Sequence, residues 1–139
     1  MMAAAGLGTA NPLEEAGTEA EALEAVQLLL DRGAGLNEVD NNGHTAMHAA
    51  AEGNFPAIVQ LLADRGADAN IWKRPDVEGS TPLFIAEGFR RGRPQLSRPT
   101  IDAITRLMVA KGLPTDGPRP RVRDIYEKAP EPPVKADKP

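Results

Sequence analysis

Residues 40–70 read "DNNGHTAMHAAAEGNFPAIVQLLADRGADAN", and the order of side chains in this stretch decides the fold. Asp40–Gly43 is a turn between extended arms, built from residues that tolerate left-handed backbone. Thr45 then stands where a helix N-cap is needed, its hydroxyl accepting from an orphan amide of the first turn. A short alanine-rich helix, "AMHAAAE", follows. Asn54 falls between the two helices, where positive φ is needed and asparagine is the most tolerant residue after glycine. Pro56 opens the second helix, at a position where proline is tolerated. Ile58, Val59, Leu61 and Leu62 form one apolar stripe along it. Gly66 stops it as a C′ residue with φ > 0.

The same unit recurs along the chain. "LLDRGAGLN" at 29–37 aligns with "LADRGADAN" at 62–70, so that Asp31, Arg32, Gly33, Ala34 and Asn37 return as Asp64, Arg65, Gly66, Ala67 and Asn70 at an offset of 33. "AVQLLL" at 25–30 matches "IVQLLA" at 58–63 with the same offset. A later copy, "TRLMVAKGL" at 105–113, is displaced by 46 and ends on Gly112. Thr45 returns as Thr81 in "STPLFIAEG", an offset of 36, with Pro82 at the first helical position. Three residues therefore entered between Asn70 and Thr81, and ten between Thr81 and Gly112. Insertions in repeat arrays map to loops.

A turn, a threonine-led tetrapeptide, two helices and a period of 33 together resemble the ankyrin repeat, whose pattern is D-x-x-G-x-T-P-L-H-x-A-A followed by I-V-x-L-L-x-x-G-A-D-x-N. The resemblance implies an all-α ankyrin-type helix-turn-helix solenoid with β-hairpin loops, a short stack of two to three repeats. It divides the chain into a degenerate or disordered segment at 1–18, a partial repeat at 19–39, a repeat at 40–70, a repeat with two loop insertions at 71–113, and a proline-rich disordered tail at 114–139. The pattern is broken in places: Ala46 and Met47 replace Pro-Leu, and Phe84 stands where the second copy would carry His.

The polar cluster at the start of the stretch invites a catalytic or metal reading, and neither is supported. Zinc needs three or four ligands, and the chain has two histidines, His44 and His48, and no cysteine. No nucleophile motif accompanies either ring. The resemblance instead makes His48 a structural residue that bonds neighbouring turn and helix groups. No enzyme activity, cofactor or metal is expected.

The resemblance implies a non-catalytic function, the binding of another protein through the concave surface made by the hairpins and first helices. The family's variable positions correspond to Asn41, Asn42, His44, Glu52 and Gly53, and 36 residues on to Val77, Glu78, Ser80, Gly88 and Phe89. The lengthened loop "IWKRPDVEGS" at 71–80 adds Trp72, Lys73 and Arg74 on what should be an extended tip. Trp and Arg are enriched at binding hot spots. Trp72 could equally fold back as a satellite core residue. The second insertion, "GFRRGRPQLSRPT" at 88–100, carries Arg90, Arg91, Arg93 and Arg98. Nucleic acid is the weaker alternative partner there, since no groove-reading motif or aromatic platform accompanies the arginines. A role as a cap or scaffold segment of a longer repeat protein stays open.

The bulk numbers agree with this reading. The 139 residues contain 41% hydrophobic but only 4% aromatic side chains, which suits helices packed through Ala, Leu, Val and Ile. Residues 1–70 carry two basic and 11 acidic side chains, and residues 71–139 carry 14 and nine, nets of −9 and +5. Such asymmetry marks either a surface for a charged partner or mutual attraction of the halves. The absence of a signal-peptide pattern and of a long apolar run points to a cytoplasmic protein away from membranes, and a monomer is expected. Beyond Leu113, seven of 26 residues are proline, with Val122, Ile125 and Tyr126 as the apolar positions that could cover the last helix.

Overall fold

The computed structural model describes residues 1–5, 18–89 and 96–119. The described residues form helices α1 (Glu19–Asp31), α2 (Ala46–Glu52), α3 (Pro56–Asp64), α4 (Ala69–Trp72), α5 (Pro82–Ala86) and α6 (Arg98–Ala110). They lie in two rows. The short helices α2 and α5 pack side by side, while α1, α3 and α6 stack in a second row behind them. Within each unit α2 packs on α3 and α5 on α6. This is the all-α repeat stack that the resemblance implied.

The ends of the helices follow the local chemistry. The Thr45 hydroxyl accepts from the His48 amide at 3.4 Å while His48 Nδ1 lies 3.2 Å from the Thr45 amide, a capping box in which histidine takes the usual place of Glu or Gln. Thr81 accepts from the Phe84 amide at 3.3 Å, and Pro82 follows at the first helical position. Gly33, Gly66 and Gly112 end the outer helices at φ +86°, +87° and +69°, and Asn54 turns between α2 and α3 at φ +57°.

The inner row is built from small side chains. Ala46, Ala49, Ala50, Ala51 and Ala86 are all buried, which lets α2 approach its neighbours closely. The larger volume comes from Met47, Ile58, Val59, Leu62 and Ile104, which close the space between the rows. Ala5 is fully buried as well, so the first residues reach the core; residues 6–17 lie outside the description.

Two expectations are corrected. The loops at 40–44 and 76–80 are tight turns, and no strand occurs among the described residues. Asp40 N donates to His44 O at 3.0 Å and Asp76 N to Ser80 O at 2.9 Å, one closing bond in each loop where an extended ladder would need several. Trp72, expected on an extended tip, is 2% exposed. The chain after Ala67 coils into α4, capped by the Asp68 carboxylate accepting from Asn70 N at 2.9 Å, and this turn swings the indole inward beside Leu36, Met47 and Leu62. Burying so large an apolar ring outweighs any preference for an extended loop.

The repeat register is written into polar ties between the outer helices and loops. Arg65 Nη2 donates to Asp31 Oδ1 at 2.8 Å, Asp68 N to Asn37 Oδ1 at 2.8 Å, and Arg106 Nη2 to Gln60 Oε1 at 3.1 Å. These pairs are exposed and each contributes little. Stability resides in the buried faces. Leu62→Ala should cost about 2–5 kcal/mol in urea unfolding of the full chain, whereas Leu28→Ala, 52% exposed on α1, should change it by less than about 0.5 kcal/mol.

Candidate functional site

The two loops that begin the inner helices form one continuous surface because the same side chain organises each. Asp40 Oδ1 accepts from the amides of Asn42 and His44, both at 2.8 Å. Asp76 Oδ1, 36 residues on, accepts from Glu78 N at 2.8 Å and Ser80 N at 2.9 Å. Each carboxylate thus fixes its own loop by an Asx turn.

His44 joins one loop to the next. Its Nδ1 lies 3.1 Å from Asp40 Oδ2 and its Nε2 lies 3.4 Å from Asp76 Oδ2. The Val77 amide donates to Asn42 O at 2.9 Å beside it. Gly43 completes the joint: its φ is +82°, and a Cβ there would come within 3.1 Å of Asp76 Cα, so both conformation and clearance call for glycine. Burial pushes the Asp40 carboxyl upward, but hydrogen bonds from His44 and Asn42 outweigh it and hold the group below its ordinary value of 3.8.

His48 sits directly beneath, edge-on to the His44 ring at 6.0 Å between centroids. It is fully buried, and its Nδ1 is 2.9 Å from the Thr45 hydroxyl. Nε2 has no partner in hydrogen-bond geometry. Burial lowers its pKa from 6.5 to about 4, against opposing pulls from the Asp76 carboxylate and the backbone of Ser80 and Arg74. The Thr45–His48 pair has the atoms of a nucleophile and base, but Thr45 is only 4% exposed and its hydroxyl is engaged in capping α2. Among the described residues, no group of three or more His, Asp or Glu side chains is placed to hold a metal ion.

The residues singled out from the sequence separate into two sets. Asn41, Asn42, Lys73, Arg74 and Glu78 are exposed, and Val77 stands among them at 71% exposure. The other set is turned inward. His44 is half-buried between the loops, Glu52 is 8% exposed at the end of α2, and Ser80 is 3% exposed with its hydroxyl donating to Phe89 O at 2.9 Å. Phe89 is half-buried, edge-on to Phe84 at 6.4 Å. Trp72 lies in the core. Arg98 is exposed on the first turn of α6, while Arg90, Arg91 and Arg93 lie outside the described residues. Asp76 was passed over in the sequence, although its 36-residue offset from Asp40 marks it as the second loop's organiser.

The buried neutral ring has a consequence for pH. His48 in the unfolded chain takes up a proton near pH 6.5, whereas the folded ring resists it until about pH 4. Protons therefore favour the unfolded chain across this window, and about 3 kcal/mol of stability is lost as pH falls from 6.5 to 4. Ring-proton NMR of the folded chain should show His48 titrating near 4; a titration near 6.5 would contradict its burial as the neutral form.

Comparison with known proteins agrees with this architecture. The profile of ankyrin repeats (three copies) matches residues 14–93, more than half of the chain. An ankyrin repeat-containing protein of Schizosaccharomyces pombe is 41% identical over 58 residues, covering 42% of this chain and 27% of its own length. An ankyrin repeat protein of fowlpox virus is 46% identical over 48 residues, 34% of this chain and 11% of its own. Inversin of Gallus gallus is 39% identical over 67 residues, 48% of this chain and 6% of its own. The chain spans about a quarter or less of the length of these relatives. Among the described residues no helix is long and apolar enough to cross a membrane. With the stacked helix pairs, the aspartate-organised loops and the matched profile in agreement, the chain belongs to the ankyrin repeat family.

Proposed function

We propose that the chain is a non-catalytic module that binds another protein through the row of loop tips formed by Asn41, Asn42, Lys73, Arg74, Val77 and Glu78. Ankyrin repeats are in general protein–protein interaction modules, which supports the class of function. The observation that carries the choice of surface is the joint between the loops. The His44 bridge to Asp40 and Asp76, with the Val77–Asn42 bond, holds the backbone of both tips while their side chains stay in water. A surface ordered before contact loses less entropy on binding, and that is where affinity is gained without added area.

The chemistry of the tips describes the partner. Lys73 and Arg74 present two cations beside the exposed Val77, so the complementary face carries carboxylates around an apolar seat. Trp72, Ser80 and His44 serve this surface from below by fixing the loop that carries it.

Affinity capture from nuclease-treated source lysate tests the assignment. Full-chain baits are the native sequence, Lys73→Glu/Arg74→Glu, and Glu24→Lys on the exposed outer face of α1, all with matching circular dichroism. A protein held by the first and third baits and lost from the second is expected. The same set on all three would rule the tip surface out.

A further inference from the structure

The terminal face of the stack carries a second, differently built surface. Beyond Gly112 the chain turns back, and Arg119 reaches Glu87 at the end of α5. Its Nε lies 2.7 Å from Glu87 Oε2 and its Nη2 2.8 Å from Oε1, a bidentate pair. The guanidinium also lies over the Phe84 ring, 4.9 Å from its centroid. Its remaining donors meet the segment itself, at Gly117 O (3.0 Å) and Thr115 O (3.1 Å).

This seat is partly withdrawn from water, with the Arg119 and Glu87 side chains 28% and 19% exposed. Next to it runs an open groove of about 280 Å³, lined by Lys73, Pro75, Phe84 and Met108 on the stack and by Pro114 and Asp116 on the returning segment, so that it shares Lys73 with the loop tips. The stack thus offers a carboxylate and an aromatic face for one guanidinium, with an apolar channel alongside. Residues 114–119 fill the first and only border the second.

We propose that the Glu87–Phe84 seat and this groove form a second interaction surface, which takes an arginine-bearing, proline-flanked peptide of a partner protein, and that residues 114–119 hold it in cis. Charge and shape choose the occupant. Glu87 presents two oxygens in the spacing of a guanidinium fork, which an ammonium cannot match. The groove beside it leaves room for an apolar side chain that the chain's own segment does not supply. The cis contact is a single clamp on a short connection, so a partner peptide that adds the groove contact displaces it by mass action.

The test uses a synthetic peptide of residues 113–120, "LPTDGPRP", and the same peptide with citrulline in place of arginine. Citrulline keeps the shape and removes the charge. Binding is followed by NMR on full-length native chain, Arg119→Ala, and Arg119→Ala/Glu87→Gln. The arginine peptide should bind Arg119→Ala about tenfold more tightly than the native chain, with shifts at Phe84 and Met108, and should lose that gain with citrulline or with Glu87→Gln. With matching circular dichroism of the three chains, equal binding to the native and Arg119→Ala chains, or equal binding of the two peptides, would overturn the proposal. A concentration-dependent dimer of the native chain that Arg119→Ala abolishes would place a second copy in the seat and also overturn it. The Glu87→Gln and citrulline comparisons leave Lys73 and Arg74 unchanged, so they separate this seat from the loop-tip surface, which shares Lys73 with the groove.

Discussion

The structure depends on one constraint: an inner helix of five or seven residues cannot stand alone. α2 and α5 are far below the length at which an isolated helix persists in water. Each exists because its first turn is capped by a threonine and its sides are covered by neighbours. The loop preceding it must therefore arrive at a fixed place, and the aspartate of each loop sets that place by accepting two downstream amides. Once Asp40 and Asp76 hold their loops, His44 and the Val77 amide can register one loop on the next.

The same arrangement explains why polar groups of catalytic type are structural here. His48 is a cap residue before it is anything else: its ring returns to the threonine that starts its own helix. Its burial holds it neutral. The half-buried His44 reaches two carboxylates, but these belong to adjacent loops that their own backbone amides already occupy. What reaches solvent is the set of tips between them, and beyond these the end face closed by Arg119.

Much of this was legible in the chain. The 33-residue offset between Asp31–Asn37 and Asp64–Asn70 marked the repeat, because Gly33 and Gly66 end helices at positive φ and Arg32 and Arg65 are the caps before them. Thr45, Thr81, Pro56, Asn54 and the three stop glycines were readable for the same reason. Trp72 was not. A lone tryptophan beside Lys73 and Arg74 looks the same in sequence whether its ring turns to solvent or to Met47, and only the helical turn at 69–72 decides it. Arg119 was hidden more deeply, in a proline-rich run with no periodicity, because its role depends on a three-dimensional return to Glu87, 32 residues earlier. Local rules read caps and turns; they carry no information about which distant carboxylate a returning segment meets.

Coupled through the loop joint and the α2–α5 contact, adjacent repeats should behave as one cooperative unit. Native-state hydrogen exchange in low denaturant tests this directly, on the Ala49 amide of α2, bonded to Thr45 O, and the Ile85 amide of α5, bonded to Thr81 O. Both should exchange through the same global opening and lose protection together as denaturant rises. Exchange of Ile85 through a separate opening several kcal/mol easier than that of Ala49 would show that the second repeat unfolds on its own, and would contradict the coupling.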